Sequence, residues 1–201
     1  MRRFAMSTML FVLACSAAKA APETYIIDNS RTASQFSYRY LGMSSQTHRF
    51  DRVSGTVVFD RAAQSGWAEV SIDAASVNTG HALLDAQMRA PDFFDTANYP
   101  VITFKSGKMV LNGDQSSLSG DLTIKGVTRP VTLAVSHFQC MEDPAVQAET
   151  CGAQATVTVR RSDFNMGKYP FIVSNDITLN LALKAVKAQS YLQVASRDPS
   201  R

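Results

Sequence analysis

Apolar and polar side chains alternate with a period of two along most of this chain, and this feature constrains the fold more than any other. Phe36, Tyr38 and Tyr40, for example, are separated by Ser37 and Arg39. Successive side chains of a β-strand point to opposite faces, so each such run predicts a strand with one buried and one solvated face. The same alternation recurs at 53–59, 69–73, 102–105, 118–124, 131–135, 155–159 and 177–183.

Turn-forming residues separate these runs. The stretch 60–66 contains Ala-Ala-Gln-Ser-Gly, Asn112-Gly113-Asp114 is typical of a hairpin, and 126–130 is a tight connection that ends in a proline. About eight strands at this spacing predict an all-β fold, either a sandwich or a closed antiparallel barrel. The long apolar and aromatic face favours the barrel, with a molecule enclosed in it.

The segment 80–94 departs from the alternation. Met88 follows Leu84 by one helical turn, and Arg89 follows Asp85 at the spacing of a helical ion pair. We therefore expect a short helix across one end of the barrel. It is interpreted either as a cap that supplies core contacts or as a lid over a ligand mouth, and the two interpretations are compatible.

The first twenty residues have the layout of a secretory signal peptide. Arg2 and Arg3 precede an apolar run at 6–18, and Ala-Lys-Ala at 18–20 is a cleavage motif. The run is shorter than the roughly 20 residues that a spanning helix needs. The alternatives are a signal anchor and a lipoprotein lipidated at Cys15. We expect the mature protein in the periplasm.

Cleavage leaves one β-barrel domain at 21–188 and a tail at 189–201 that loses the alternation and is predicted to be disordered. The chain has 20 Lys and Arg and 17 Asp and Glu, and three of the bases lie in the leader. The mature chain therefore has no net charge. Without a basic excess it lacks the electrostatic basis for binding nucleic acid.

Cys140 and Cys151 are the two cysteines left after cleavage, and they flank a polar, acidic stretch with one proline. In an oxidising compartment this arrangement predicts a disulfide that closes a loop. The chain-entropy estimate for a loop of this size is a stabilisation of about 2–3 kcal/mol. A redox site is not predicted, because the sequence has no C-x-x-C motif.

Few residues indicate catalysis or metal binding. His48, His81 and His137 stand apart from one another without metal-ligand spacing, and the chain has neither a G-x-S-x-G elbow nor a phosphate loop. We therefore predict no metal, no cofactor other than a bound lipid, and no enzymatic activity.

The remaining candidate is an apolar ligand site. An eight-stranded barrel has room for packed side chains or for one small ligand, and the sequence pattern leaves both open. The predicted mouth residues are His81, Asp85 and Arg89. The predicted apolar wall consists of Phe36, Tyr38, Tyr40, Phe59, Phe94, Phe104, Leu122, Leu133 and Leu179.

Several motifs, in this order and spacing, resemble the YceI-like family of periplasmic lipocalin-type proteins. They are YIID at 25–28, HRFDRVSG at 48–55, ASVNTG at 75–80, DAQMRAPDFF at 85–94, YPVITF at 99–104 and GDLTIKGVTRPV at 120–131. The resemblance implies an extended eight-stranded barrel that binds a polyisoprenoid, such as a prenyl quinone or prenyl diphosphate, or a related amphiphile. It implies no catalysis. The Cys140–Cys151 stretch looks like an individual addition.

Three hypotheses follow from the sequence. The first is a carrier of an isoprenoid or fatty-acyl-type lipid, with transient membrane contact and a homodimer both compatible with it. The second is a periplasmic interaction or stress protein with a filled barrel. The third is a small lipid-acting enzyme. A continuous cavity favours the first, whereas a solid core with an exposed apolar patch favours the second.

Overall fold

The computed structural model describes residues 21–112 and 116–191, and this part of the chain is mostly β-structure. The predicted leader at 1–20 lies outside the described residues, as do Gly113 and Asp114 of the predicted hairpin turn. The strands are β1 (Glu23–Ile27), β2 (Ala33–Tyr40), β3 (Ser44–Phe50), β4 (Val53–Asp60), β5 (Ser65–Asp73), β6 (Val77–Asn78), β7 (Val101–Val110), β8 (Ser116–Ile124), β9 (Val127–Asp143), β10 (Ala148–Arg160) and β11 (Asp176–Lys187).

The barrel consists of eight long antiparallel strands, because six of these segments are halves of three interrupted ones. β1 pairs with residues 185–187 of β11, and β2 pairs with residues 178–182 of the same strand. β4 pairs with β1 and β3 pairs with β2, so β3 and β4 form one interrupted strand. β5 pairs with β4 and β6 pairs with β3, so β5 and β6 form another. The order then runs from β5 through β7, β8, β9 and β10 to β11, which returns to β1. The predicted eight-stranded barrel is confirmed.

Side-chain hydrogen bonds replace the strand ladder at the interruptions. Asn29 lies in a 3-10 turn between β1 and β2, and its Oδ1 accepts from the N–H of Val53 at 2.6 Å. Ser76 lies in a second 3-10 turn, between β5 and β6. Its Oγ accepts from the N–H of Arg52 at 3.0 Å and donates to the carbonyl of Asp73 at 2.6 Å. These bonds satisfy backbone groups that a broken ladder would leave unpaired.

One end of the barrel, near the β9–β10 turn, is tightly packed. Tyr25, Ala185 and Val186 are fully buried there. Phe59 packs edge-to-face against Phe138, with ring centroids 4.9 Å apart. Close packing of these side chains closes this end of the barrel.

The predicted disulfide is confirmed: Cys140 in β9 and Cys151 in β10 are bonded and lie directly opposite each other. The acidic stretch between them is a hairpin rather than an open loop, because β9 continues to Asp143 and β10 begins at Ala148. Asp143 also forms an ion pair with Arg31. The bridge therefore cross-links two neighbouring strands near the packed end.

The chain after β11 begins with ordered backbone. Residues 188–191 are helical, and Tyr191 packs against Val146, Ala148 and Val186. The first three residues of the predicted tail, 189–191, thus belong to this helical turn. Its remainder, 192–201, lies outside the described residues.

No helix in the described ranges is long and apolar enough to span a membrane.

Candidate ligand-binding cavity

A cavity of about 180 Å³ lies inside the barrel. Residues of β2 to β5 and of β7 to β11 form its wall, together with side chains of the connections at one end. The wall is overwhelmingly apolar because period-two strands direct one face inward. Its polar members are Ser34, Gln35, Tyr38, Arg161 and Asn180.

The two sides of the wall differ in how completely they are buried. Phe104 and Leu122 are 7% and 6% exposed. Inward-facing residues of β10 and β11, such as Val157 and Leu179, are only half-buried although they line the cavity. Their inward faces border free space rather than other side chains. This apolar surface gains free energy when an apolar molecule covers it.

The segment 82–99, named the lid here, lies over the end of the cavity opposite the packed end. It begins with α1 (Ala82–Arg89), which confirms the predicted short helix. Met88, Phe93 and Phe94 are buried and line the cavity. Phe94 packs edge-on against Phe36, with centroids 5.7 Å apart, and also against Phe50. The segment thus supplies core contacts and closes this end.

Polar contacts fasten the lid to the β10–β11 connection. The carboxylate of Asp92 accepts from Lys168 Nζ at 2.5 Å and from the hydroxyl of Tyr169 at 3.2 Å. Lys125, in the turn between β8 and β9, bridges the two segments, because its Nζ donates to the carbonyl of Pro91 at 2.6 Å and to the carbonyl of Asn165 at 3.1 Å. Phe93 stacks on Tyr169 with centroids 6.0 Å apart. The ammonium of Lys168 holds the pKa of the Asp92 carboxyl below its ordinary value.

Residues 25–185 match the model of the YceI-like domain. The chain belongs to the YceI-like family. Protein YceI of Escherichia coli O157:H7 is 32% identical over 175 residues, which cover 86% of this chain and 91% of that protein.

Solved structures share the barrel of this YceI-like chain. Burkholderia cenocepacia BcnA has a TM-score of 0.70 at 27% identity, covering 79% of this chain and 99% of that one. A polyisoprenoid binding domain from Saccharophagus degradans has a TM-score of 0.59 at 20% identity, covering 81% of this chain and 98% of that one. The second likeness shows the fold alone.

The structure places seven of the twelve predicted site residues in the wall of the YceI-like cavity. Phe59 is buried in the packed end beside Phe138 and does not line the cavity. Tyr40, the last residue of β2, is 42% exposed and does not line the cavity. The seven in the wall are Phe36, Tyr38, Phe94, Phe104, Leu122, Leu133 and Leu179.

The three predicted mouth residues lie outside the cavity. Arg89 donates to the carbonyls of Ala75 and Val77, at 2.9 and 3.2 Å. Asp85 accepts from the backbone N–H and hydroxyl of Thr79, both at 2.7 Å. His81 is exposed and precedes the helix. The helix buries Met88, so its polar side faces outward, where Asp85 and Arg89 border a shallow polar depression.

Arg161 is a wall residue that the sequence analysis missed. It is 4% exposed, and its guanidinium donates to the carbonyls of Met166, Lys168, Val173 and Ser174. Burial lowers the pKa of this guanidinium. In the sequence Arg160 and Arg161 look like a surface pair after a strand, so nothing marked one of them as buried.

Tyr38 and His48 form a buried polar pair, which the sequence pattern did not predict. The hydroxyl oxygen of Tyr38 lies 3.1 Å from His48 Nε2. Burial lowers the pKa of the imidazole and raises the pKa of the phenol. Both groups are therefore neutral near pH 7. Among the described residues, no group of three or more His, Cys, Asp or Glu is arranged to hold a metal ion.

Proposed function

We propose that this protein is a carrier that holds a polyisoprenoid or another long-chain amphiphilic lipid in the barrel cavity. The observation that carries the proposal is the apolar cavity between the packed end and the lid. Apolar cavities stay dry and accept apolar guests. Each methylene of a guest moved from water into such a space contributes about 0.8 kcal/mol.

The half-buried wall on β10 and β11 supports a carrier over a filled barrel. A barrel that served only as a scaffold would gain stability from larger side chains at these positions, since interiors normally pack to the density of organic crystals. Here the wall has small residues such as Ala153 and Ala155, and their side chains leave space next to them.

The fold likeness adds support for the class of ligand. The Saccharophagus degradans domain is described as polyisoprenoid binding, and it has the same barrel. A prenyl chain and a fatty-acyl chain both match an apolar cavity wall. We therefore propose the wider class of long-chain lipids, with an isoprenoid as the first candidate.

We propose binding without catalysis. Among the described residues, Arg161 is the one charged residue of the cavity wall. Its guanidinium already donates hydrogen bonds to four backbone carbonyls. In the described part of the chain, the side chains of Tyr38 and His48 are hydrogen-bonded to each other and to no nucleophilic side chain. The wall is suited to holding a chain rather than to cleaving one.

We propose the periplasm as the site of action. The leader layout supports export across the inner membrane, and the Cys140–Cys151 disulfide fits an oxidising compartment. N-terminal sequencing of the exported protein tests this proposal. A mature chain that starts at Ala21 supports it, whereas a lipidated Cys15 replaces it with a membrane-anchored carrier.

We also propose transient contact with a membrane through an exposed apolar tip, defined as Leu41, Met43, Phe171 and Ile172. The N–H of Leu41 donates to the carbonyl of Ile172 at 2.7 Å, so the two loops form one unit. Phe171 is 94% exposed and Met43 78%. Exposed apolar groups of this kind mark interaction surfaces.

The membrane contact is tested by sedimentation with phospholipid vesicles. Replacing both Met43 and Phe171 with Ser should reduce the bound fraction severalfold. Trp67→Ser is the matched control, because Trp67 is also a large exposed side chain but lies on β5 away from the tip. Equal binding of both variants would remove the tip from the proposal.

The first experiment for the carrier is extraction of the purified mature protein with organic solvent, followed by mass spectrometry. The expected result is a prenyl or acyl compound in stoichiometric amount. An empty extract, also after incubation with membrane lipids, would overturn the carrier and favour an interaction protein with an unoccupied barrel.

A further inference from the structure

The β10–β11 connection, residues 161–175, contacts the cavity, the lid and the exposed apolar tip at once. Val173 belongs to the cavity wall. Tyr169 stacks on Phe93 of the lid. Phe171, a member of the tip, is 94% exposed. One short segment therefore lies between the ligand space and the surface that is proposed to meet a membrane.

Hydrogen bonds join the residues of this connection into one unit. The carbonyl of Tyr169 accepts from the N–H groups of both Ile172 and Val173, each at 3.0 Å. The buried guanidinium of Arg161 donates to carbonyls on both sides of this turn, including those of Lys168 and Val173. A turn fixed at several points moves as a whole, so a displacement of the tip also displaces Lys168 and Tyr169.

The unit holds the lid through polar contacts near the surface. Asp92 of the lid accepts from Lys168 Nζ at 2.5 Å and from the hydroxyl of Tyr169 at 3.2 Å. The side chain of Lys168 is 63% exposed, and exposed ion pairs contribute little to stability. Lys125 adds a hydrogen bond to one carbonyl on each side. A modest force on the connection is therefore enough to separate it from the lid.

The inner side of the lid is what opposes opening in water. Met88, Phe93 and Phe94 are buried and line the cavity. Opening the lid in water exposes these side chains, at a cost in free energy that grows with the apolar area. Against the hydrocarbon of a bilayer this cost disappears, because the side chains stay in apolar surroundings. A bilayer at the tip thus binds the open lid better than the closed one, which is the condition for shifting the equilibrium between them.

We propose that the β10–β11 connection couples contact of the tip with a phospholipid bilayer to opening of the lid, so that the ligand passes directly between the cavity and the bilayer. The lid stays closed while the protein is free in solution. This inference rests on the proposed carrier function and membrane contact, and it adds the event that opens the cavity.

The experiment follows the transfer of fluorescent anthroyloxystearate from the full mature protein to phosphatidylcholine vesicles that contain a quencher phospholipid. If contact opens the lid, the transfer rate rises in proportion to the vesicle concentration. Release into water followed by uptake has a rate that does not depend on it. Release to albumin, an acceptor without a bilayer, gives the spontaneous rate of each variant. The ratio of the vesicle rate to the spontaneous rate is the acceleration by vesicles.

Two variants test whether the tip is responsible. Replacing both Met43 and Phe171 with Ser should abolish the dependence of the rate on vesicle concentration. Trp67→Ser, a large exposed side chain on β5 away from the tip, should transfer the ligand as the wild type does. A wild-type rate that is independent of vesicle concentration, or equal rates in the tip variant and the wild type, would overturn the proposal.

Variants of the fastening separate coupling from docking alone. Asp92→Asn removes the ion pair with Lys168, so contact with a vesicle has less left to break. The acceleration by vesicles should fall to about half of the wild-type value or less, as for two changes that act on one interaction. Lys168→Gln removes the same pair from the other side and should reduce the acceleration equally.

Equal acceleration in the wild type and in both fastening variants would show that vesicles collect the protein without acting on the lid, and this result would overturn the coupling. The carrier function is judged separately, by the loading step. A wild-type protein that takes up no anthroyloxystearate would reject the carrier itself, whereas a loaded protein with vesicle-independent release would reject only the coupling.

Discussion

The carboxylate of Asp92 lies 2.5 Å from the ammonium of Lys168 and joins the lid to the β10–β11 connection. Asp92→Asn removes this charge and should speed ligand release severalfold, since the lid loses one of its fastenings. Lys168 is 63% exposed, so the pair should weaken as salt is added. Stopped-flow displacement of a fluorescent fatty acid measures the rate at low and high ionic strength.

The pH dependence of lid fastening follows from the lowered pKa of Asp92. A carboxyl with a lowered pKa contributes its interaction above its ordinary pKa and loses it as pH falls through the lowered value. Release from the wild type should therefore accelerate only in strongly acidic solution. Asp121→Asn, an exposed carboxylate on β8, serves as the control and should leave release unchanged. Equal rates in wild type and Asp92→Asn would show that the lid does not limit release.

A second prediction concerns the free space beside Ala155, an inward-facing residue of β10 that lines the cavity. Ala155→Phe fills that space and should reduce the amount of co-purified lipid at least severalfold. Because it fills a void, it should leave the free energy of unfolding unchanged or raise it by about 0.5–2 kcal/mol. Mass spectrometry and urea unfolding report the two effects.

The control for Ala155→Phe is Gln154→Phe, since Gln154 precedes it and faces outward. This variant should keep its lipid. If Ala155→Phe also kept a full complement of lipid, the ligand would have to occupy some place other than this cavity.

Backbone spacing gives a third prediction, at Gly55 in β4. Its φ is +150°, and an added Cβ would lie 2.1 Å from the carbonyl oxygen of Glu69 on β5. Gly55→Ala must therefore push two paired strands apart, and we expect a loss of about 2–4 kcal/mol in the free energy of unfolding. Urea unfolding measures it.

Gly107 provides the matched substitution, because a Cβ there would meet no atom within 4 Å. Gly107→Ala should stay within about 0.5 kcal/mol of the wild type. Similar losses in both variants would mean that the contact with Glu69 is not what makes Gly55 necessary.

Alternation predicted the fold because a closed barrel has one inward and one outward face on every strand. It could not predict the interruptions. The 3-10 turns that contain Asn29 and Ser76 are stabilised by side chains from neighbouring strands, so they depend on contacts distant in sequence. Local pattern also gave no indication that β1 and β2 share β11 as a partner.

The alternation predicted which side chains point into the barrel, but it did not predict where along each strand the cavity begins and ends. Phe36, Tyr38 and Tyr40 have the same parity, yet only the first two line the cavity, and Tyr40, at the end of β2, is 42% exposed. Phe59 has inward parity as well, but it lies in the packed end. The role of Arg161 could not be predicted from the sequence, since the carbonyls that accept its hydrogen bonds come together only when the β10–β11 connection folds over it.

The pH dependence of stability should report on His48. Burial lowers the pKa of its imidazole, and the more distant Asp85 carboxylate only partly opposes this effect. The unfolded chain therefore binds a proton at a higher pH than the folded protein does. Stability is fully present above the ordinary pKa of about 6.5 and falls as pH drops toward the lowered folded value.

His48→Gln removes this titration while keeping a polar side chain beside Tyr38. Its free energy of unfolding should be flatter than that of the wild type below about pH 6.5, whatever its value at neutral pH. His137→Gln is the matched histidine replacement, at an exposed position of β9. Urea unfolding across this range measures the slope. Parallel curves for wild type and His48→Gln would mean that His48 takes up a proton as readily in the folded protein as in the unfolded chain, and so is not held neutral by burial.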